Sequence, residues 1–240
     1  MLGKQTDEVR PWTRPLVTIE CQNPATLEKL GEVPSLSEAD VAERLSRARQ
    51  AQVAWGQTSF AERRRVLRML LDYIIDHQAE ICRLCSTDSG KTMADAAMGE
   101  IFPVCEKIRY LIDHGEDDLR SDKRPSGLLM HKAARVEYLP LGVVGVICPW
   151  NFPFHNILCP TVPALFAGNA VIAKTSEWTS WSAADFQAIF DEVLTKAGYS
   201  PDLVQIITGG GETGRALVTS GVEKIFFTGS PENGRKVMAA

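Results

Sequence analysis

The spacing of hydrophobic residues along the chain changes near residue 141. Before that point apolar positions mostly recur every three or four residues, whereas after it short apolar runs alternate with amphipathic segments. The first spacing is typical of helices that bury one face, and the second is typical of buried parallel strands joined by helices. We therefore predict a mainly helical N-terminal part followed by βα units with right-handed crossovers.

One short strand and two long helices are predicted first. The strand covers 16–21, and the first helix covers 37–55. A capping box formed by Ser59 and Glu62 begins the second helix. Because apolar residues keep helical spacing as far as Leu84, this helix is predicted to continue to that residue without a break.

A third helix, a linker and an arm are predicted next. The helix covers 93–114 with a bend near Pro103, and the charged, turn-rich segment 115–126 is predicted to be a linker. The segment 128–139 has the pattern of an extended hairpin and predicts a projecting arm. The chain is thus divided into a helical part, the arm and a sheet-forming part, at 1–126, 127–140 and 141–240.

Four strands are predicted in the last part, each followed by a helix. The strands cover 141–148, 170–174, 203–207 and 224–227, and the helices cover 155–166, 182–197, 212–218 and the residues from Pro231 onward. Together they predict an α/β fold, with a Rossmann-like parallel sheet, flanking helices and the arm. Because the last helix still continues at Ala240 without a cap, we expect the chain to be part of a longer protein.

The composition argues against several classes of protein. The net charge of −4 provides no basic surface for nucleic acid. The longest apolar region, 141–173, is interrupted by prolines and is therefore not predicted to span a membrane. The N-terminus lacks the apolar centre of a signal peptide, and six dispersed cysteines are typical of a reducing compartment. These features predict a cytoplasmic protein.

Two strand ends carry polar residues that could form a site. The strand 141–148 ends at the two prolines of the motif 149–153, which hold a rigid loop that carries Asn151. The strand 170–174 ends in Lys174, followed closely by Glu177. Open α/β sheets bind ligands at the carboxyl ends of their strands. Their position at these strand ends is therefore enough to make these residues a candidate ligand site.

Two glycine-rich turns follow the later strands. Residues 209–214 match the dinucleotide fingerprint G-x-G-x-x-G. A plain strand-to-helix turn stays open as the alternative, since Glu223 precedes its strand instead of ending it. The turn 228–234 is the better phosphate candidate, because Gly229 permits close backbone approach and Ser230 precedes a helix with free N–H groups.

Three other patterns are explained more simply by local structure or packing. The sequence GKT at 90–92 lacks the first glycine of a P-loop and follows a helix. Cys82 and Cys85 lie inside an amphipathic helix without a second pair of ligands, which favours core cysteines over a metal or redox site. His155 has no carboxylate partner and is interpreted as structural. No metal site is predicted.

Several motifs in this order resemble the aldehyde dehydrogenase superfamily. They are PWNFP at 149–153, AGNA at 167–170, Lys174 with Glu177, the glycines at 209–214 and FTGS at 227–230. The resemblance covers nearly the whole chain and implies NAD-dependent oxidation of an aldehyde to a carboxylic acid. In this family a cysteine thiolate adds to the aldehyde, hydride passes to the nicotinamide, and a water activated by glutamate releases the acid.

The resemblance also implies roles for individual residues. Asn151 matches the side-chain donor to the oxyanion, while Lys174 and Glu177 match residues that bind the adenosine ribose, which favours NAD over NADP. The other cofactor-binding positions implied are Ile147, Cys148, Pro149, Trp150, Ser176, Gly209, Phe227, Thr228, Gly229, Ser230 and Gly234. The arm implies a homo-oligomer in the full-length form.

The nucleophilic cysteine and the general-base glutamate of the family have no match in this sequence. No Glu-Leu-Gly-Gly motif is present, and none of the six cysteines has the context of the nucleophile. The resemblance therefore implies the N-terminal, cofactor-binding half of the enzyme, catalytically incomplete by itself. Two alternatives stay open. One is a short non-catalytic nucleotide-binding or interaction module, and the other is an acyl-phosphate or acyl-CoA reductase of similar fold.

Overall fold

The computed structural model describes residues 17–240, which begin with an antiparallel hairpin. Strand β1 (Thr18–Gln22) pairs with β2 (Lys29–Pro34). In the turn between them, the side-chain Oδ1 of Asn23 accepts a 2.9 Å hydrogen bond from the backbone N–H of Ala25. The sequence predicted β1 but not β2, because the residues of β2 do not alternate between apolar and polar.

Capping boxes fix the starts of the first two helices. Helix α1 (Glu38–Gly56) follows Ser37, and α2 (Phe60–Asp76) follows Ser59. At each start the serine hydroxyl accepts a backbone N–H three residues later, and the carboxylate at that later position accepts the N–H of the serine. Both predicted starts are confirmed.

The second predicted helix is in fact two helices, so that prediction was wrong. Helix α2 ends at Asp76, and α3 (Gln78–Ser89) begins after His77, whose backbone leaves the helical region at φ −107° and ψ 14°. Ile74 and Ile81 lie on opposite sides of this break and are both buried in one core. The apolar spacing therefore continues across the break and does not reveal it.

The third helical segment contains a π turn and is longer than predicted. Helix α4 (Met93–Ala96), the π turn Ala97–Ile101 and α5 (Phe102–Asp118) follow one another, with the π turn near the predicted bend. The predicted linker was therefore wrong at its start. Gly115 lies inside α5 and does not end it. The glycine allows close packing against Phe166, because a Cβ at this position would lie 2.5 Å from Cε1 of that ring.

A short hairpin follows α5. Strand β3 (Asp122–Arg124) pairs antiparallel with β4 (Ala134–Val136). The predicted hairpin at 128–139 therefore contains only the second strand, and the predicted boundary between 126 and 127 falls inside the hairpin. The first strand was missed because all three of its residues are charged and exposed.

Four parallel strands form the central sheet. In chain order they are β5 (Val143–Ile147), β6 (Ala170–Lys174), β7 (Val204–Ile207) and β8 (Lys224–Phe227). Their spatial order is β7-β6-β5-β8, so the chain proceeds outward from β5 to β7 and then returns to the other side of β5. The carboxyl ends of the neighbouring strands β5 and β8 thus form a topological switch point, where open α/β sheets bind ligands.

Each strand of this sheet is followed by a helix. They are α6 (Pro153–Phe166), α7 (Ala183–Ala197), α8 (Gly211–Thr219) and α9 (Pro231–Ala239). Strands and helices agree with the sequence prediction to within two residues, and the α/β fold with its parallel sheet is confirmed. Within the described residues, no helix combines the length and apolar content that a bilayer crossing requires.

One core joins the N-terminal helices to the sheet. Helix α1 packs on β6, and α2 packs on both α5 and α7. Trp55 is fully buried at the centre of this core, where its indole Nε1 donates a 2.8 Å hydrogen bond to the carbonyl of Leu165. Cys82 and Cys85 belong to the same core, which confirms their interpretation as packing residues.

Candidate functional site

A cleft of about 740 Å³ opens at the carboxyl edge of the sheet. Residues at the ends of β5, β6 and β8 line one side of it, and residues of α8 and α9 line the other. The cleft therefore lies at the switch point between β5 and β8. The fold alone makes this edge the first candidate for a ligand site.

Most of the predicted cofactor-binding residues line this cleft. They are Ile147, Cys148, Pro149, Trp150, Lys174, Ser176, Glu177, Phe227, Thr228, Gly229 and Ser230. Gly209, Gly234 and Asn151 lie outside this lining. Asn233, which belongs to the predicted turn 228–234, also lines it, and so do Arg215 and Lys236, which the sequence did not indicate. Their helical positions carried no motif that would have distinguished them from ordinary surface residues.

Gly209 is explained by packing within the protein. A Cβ at this position would overlap the side chain of Thr213, whose hydroxyl donates a 2.6 Å hydrogen bond to the carbonyl of Leu36. The glycine therefore permits a close approach between two segments of the chain. A close protein contact and a close ligand contact both require the absence of a side chain, so the sequence could not distinguish them.

Lys174 and Glu177 form an ion pair beside the cleft. The distance from Nζ of Lys174 to Oε2 of Glu177 is 3.5 Å, and the two side chains are 6% and 46% exposed. Burial lowers the pKa of Lys174, and the neighbouring Glu177 carboxylate opposes this shift. The pair thus presents an accessible carboxylate supported by a buried ammonium group. A carboxylate in this position can accept hydrogen bonds from the hydroxyl groups of a sugar.

The turn before α9 has the features of an anion site. The hydroxyl of Ser230 accepts a 3.3 Å hydrogen bond from the backbone N–H of Asn233 and so caps the helix. A Cβ on Gly229 would lie 2.6 Å from Cζ of Phe227, so a side chain there would displace the ring. Pro231 has no N–H and that of Asn233 is used by Ser230, so the N–H of Glu232 and the positive end of the helix dipole are what favour a negatively charged group.

Cys148 is a structural hydrogen-bond donor. Its Sγ donates to the backbone carbonyl of Asn156 at 3.1 Å. Pro160, four residues further along α6, has no N–H to donate to that carbonyl, and the thiol takes its place. Burial raises the pKa of Cys148 to about 12. The side chain therefore stays a thiol at neutral pH and is unsuited to act as a nucleophile.

Asn151 lies on the loop between β5 and α6 with its amide held in one orientation. Its Oδ1 accepts a 3.1 Å hydrogen bond from Nδ2 of Asn156, and its backbone carbonyl accepts a 2.8 Å hydrogen bond from Nζ of Lys91. Nδ2 of Asn151 has no hydrogen-bond partner within residues 17–240. This donor is therefore available to a ligand.

A buried ion pair between Lys91 and Glu100 supports this loop. Glu100 is fully buried, and its second oxygen accepts a 2.8 Å hydrogen bond from the backbone N–H of His155. Burial raises the pKa of Glu100, while the hydrogen bonds from His155 and Lys91 act in the opposite direction. Lys91 also lies 4.1 Å from the centre of the Phe152 ring. The ion pair therefore contacts Asn151 itself and two residues that follow it, Phe152 and His155.

His155 contributes its backbone to this arrangement. Burial and the charges of Lys91 and Lys107 lower the pKa of its imidazole, so the ring is neutral at pH 7. The structural interpretation of this histidine agrees with its contacts. No group of three acidic, histidine or cysteine side chains within residues 17–240 is arranged to hold a metal ion.

A model of the aldehyde dehydrogenase family matches residues 12–240 of the chain. The chain belongs to the aldehyde dehydrogenase family. It is 45% identical over 192 residues to an aldehyde dehydrogenase-like protein of Saccharomyces cerevisiae, an overlap that includes 78% of this chain and 30% of the yeast protein. The resemblance derived from the sequence motifs is confirmed.

Solved structures of aldehyde dehydrogenases have the same fold. The enzyme of Brucella melitensis biovar abortus 2308 superposes with a TM-score of 0.85 at 32% identity, covering 93% of this chain and 45% of that one. The Mycobacterium tuberculosis aldehyde dehydrogenase complexed with NAD+ gives a TM-score of 0.83 at 26% identity, covering 95% and 47%. The chain thus spans less than half the length of these family members.

Proposed function

We propose that this chain is the NAD-binding part of an enzyme that oxidises an aldehyde to a carboxylic acid. The observation that carries the proposal is the cleft at the switch point, which both the Lys174–Glu177 pair and the capped start of α9 border. Membership of the aldehyde dehydrogenase family supports it, as does the relative that is complexed with NAD+.

The residues of the cleft fit the two polar parts of a dinucleotide. The Glu177 carboxylate accepts hydrogen bonds from the hydroxyl groups of the adenosine ribose, and the buried Lys174 keeps that carboxylate oriented. The turn at Gly229 and Ser230 and the positive end of the α9 dipole bind the pyrophosphate. When bound, NAD supplies the hydride acceptor of the reaction.

Asn151 stabilises the negative charge that develops on the oxygen of the aldehyde. Its Oδ1 accepts a hydrogen bond from Asn156, which leaves its Nδ2 donor available to the reacting oxygen. A donor of this kind is most effective when it is already oriented before the reaction begins. Cys148, the cysteine that lines the cleft, is not suited to be the nucleophile, because burial holds its thiol protonated.

The accessible carboxylate of Glu177 favours NAD over NADP. A phosphate on the 2′-oxygen of the ribose would place a second negative charge beside this side chain. The repulsion between two such charges amounts to about 1 kcal/mol or more at intermediate dielectric.

A direct binding measurement with the purified chain tests the proposal. NAD is titrated into the wild-type chain and into Gly229→Leu, in which the added side chain has no space beside Phe227. We expect saturable binding by the wild type and at least tenfold weaker binding by the variant. Gly210→Ala, which meets no atom within 4 Å and lies outside the cleft lining, is the matched control. Absence of NAD binding by a folded wild-type chain would contradict the proposal.

A further inference from the structure

Trp178 is a large apolar side chain that borders the cleft and is 74% exposed. It follows Glu177 directly on a short 3-10 turn at the end of β6. An exposed indole in a concave site gives up the stabilisation that burial would provide. Aromatic side chains in such positions commonly provide a flat surface for a ligand.

The turn that carries Trp178 is fixed by hydrogen bonds on its inner side. The backbone N–H of Trp178 donates to the hydroxyl of Ser176 at 3.3 Å, and the hydroxyl of Ser180 donates to the carbonyl of Ser176 at 2.8 Å. The hydroxyl groups of Thr175 and Ser180 lie 3.1 Å apart, and both residues are buried. These contacts leave little freedom in the backbone at Trp178.

A buried carboxylate holds the far end of the same segment. Asp88 accepts hydrogen bonds from the backbone N–H of Ser182 at 3.0 Å and from its hydroxyl at 2.6 Å. The segment is therefore anchored at β6 on one side and at the start of α7 on the other. Trp178 therefore borders the cleft on a backbone whose position is already set.

We propose that the indole of Trp178 stacks against the adenine base of the bound dinucleotide. This inference rests on the proposed function, in which Glu177 binds the adenosine ribose. The base is attached to that ribose, so it lies next to the residue that follows Glu177. Arg215 and Val218 of α8 also line the cleft and provide a second wall of mixed charged and apolar character. Trp178 thus contributes to affinity for the purine half of the cofactor.

Stacking predicts a loss of affinity that depends on the base. Removing an aromatic side chain from a stacked base weakens binding by about tenfold. We expect Trp178→Ala to lower the affinity of the chain for NAD and for AMP by roughly that factor. Trp178→Phe keeps an aromatic face and should recover most of the loss. Affinity for nicotinamide mononucleotide, which has no adenine, should stay unchanged.

The experiment is a set of titrations with purified chain, read by calorimetry. Phe102→Ala is the matched control, because Phe102 is also an exposed aromatic residue but lies outside the cleft lining. Equal NAD affinity in Trp178→Ala and the wild type would overturn the inference while leaving the cofactor site intact. An equal loss for the mononucleotide would also overturn it, since the effect would not concern the base. A wild-type chain that binds no NAD would contradict the proposed function itself and this inference with it.

Discussion

Nδ2 of Asn156 donates a 3.1 Å hydrogen bond to Oδ1 of Asn151. The same side chain also donates to the carbonyl of Pro149 at 3.3 Å, and the backbone carbonyl of Asn156 accepts the thiol of Cys148. Asn156 is therefore held in place at both its backbone and its side chain. Since an amide has one acceptor end and one donor end, fixing the acceptor of Asn151 also fixes its donor.

The first prediction concerns Asn156→Asp in a complete enzyme that carries this chain. The substitution keeps the size of the side chain but replaces a donor with a carboxylate, which attracts Nδ2 of Asn151 instead of Oδ1. We expect kcat to fall toward the roughly 10²–10³-fold loss typical of removing an oxyanion donor. The affinity of the chain for NAD should not change, because Asn156 lies outside the cleft lining.

Steady-state kinetics and NAD titration together check this prediction. Asn151→Ala provides the reference for complete loss of the donor. Asn233→Asp introduces the same chemical change at a cleft residue on α9 and should alter NAD affinity more than kcat. A variant Asn156→Asp with wild-type kcat would show that this hydrogen bond does not orient Asn151 for the reaction.

The second prediction concerns the buried pair under the same loop. Lys91→Met removes the cation and leaves the carboxylate of Glu100 buried without its charged partner. Breaking a buried pair in this way typically costs about 3–5 kcal/mol in the free energy of unfolding. Lys29→Met, which breaks exposed pairs with Glu20 and Glu32, should lower the free energy of unfolding much less. Urea denaturation of the purified chain measures both.

A second substitution distinguishes charge from packing in this pair. Adding Glu100→Gln to Lys91→Met removes the uncompensated charge and should restore part of the lost stability. No recovery in the double variant would mean that the unpaired charge of Glu100 is not the cause of the lost stability.

The sheet and its helices could be predicted because their signals are local. The run that forms β6 is mostly apolar and is bounded by polar residues. Gly198 ends helix α7 in the left-handed conformation at φ 86°. These features depend on a few neighbouring residues. The break at His77 could not be predicted in this way, since it interrupts a hydrophobic stripe that stays continuous.

The contacts that orient the candidate site could not be predicted from local sequence. Asn156 and Asn151 are close in sequence, yet their contact depends on how the loop enters α6. Lys91 is 60 residues from the carbonyl of Asn151 that it contacts, and the sequence indicated only that it is no part of a P-loop. Strand ends identify where a site lies, whereas the supporting side chains come from distant helices.

The third prediction is a pH dependence caused by Asp88. Burial raises its pKa above the ordinary value, although hydrogen bonds from Ser182 and Trp181 oppose the shift. The folded state therefore binds this proton more tightly than the unfolded state does. The contribution to stability falls as the pH rises above the ordinary aspartate pKa of about 4, because the buried group must then ionise.

The variant Asp88→Asn tests this dependence because an amide does not titrate. We expect its stability to fall less steeply than that of the wild type as the pH rises from about 4 toward neutrality. Any loss of hydrogen bonding adds a constant offset that does not depend on pH. Asp72→Asn, at an exposed position on α2, should follow the wild-type curve. Parallel curves for Asp88→Asn and wild type would contradict the assignment.

The fourth prediction concerns the arm between β3 and β4. Leu128 and Met130 are 100% and 90% exposed, and Leu129 is half-exposed. Exposed apolar groups of this kind favour self-association, in agreement with the homo-oligomer that the arm was predicted to form. Replacing Leu128, Leu129 and Met130 with serine should shift the chain toward monomer in light scattering over a concentration series. A wild-type chain that stays monomeric at high concentration would contradict this prediction.

The fifth prediction concerns the choice between NAD and NADP. Glu177→Gln keeps a hydrogen-bonding side chain beside Lys174 but removes the negative charge. We expect affinity for NADP to rise and affinity for NAD to fall slightly. The ratio of NAD affinity to NADP affinity should therefore fall by about five- to tenfold. Glu192→Gln, on the exposed face of α7 and paired with Lys196, is the control and should leave the ratio unchanged. In this variant the ammonium of Lys174 has no anionic partner and can attract a 2′-phosphate. If the ratio of NAD affinity to NADP affinity stays at the wild-type value, Glu177 does not lie at the ribose site.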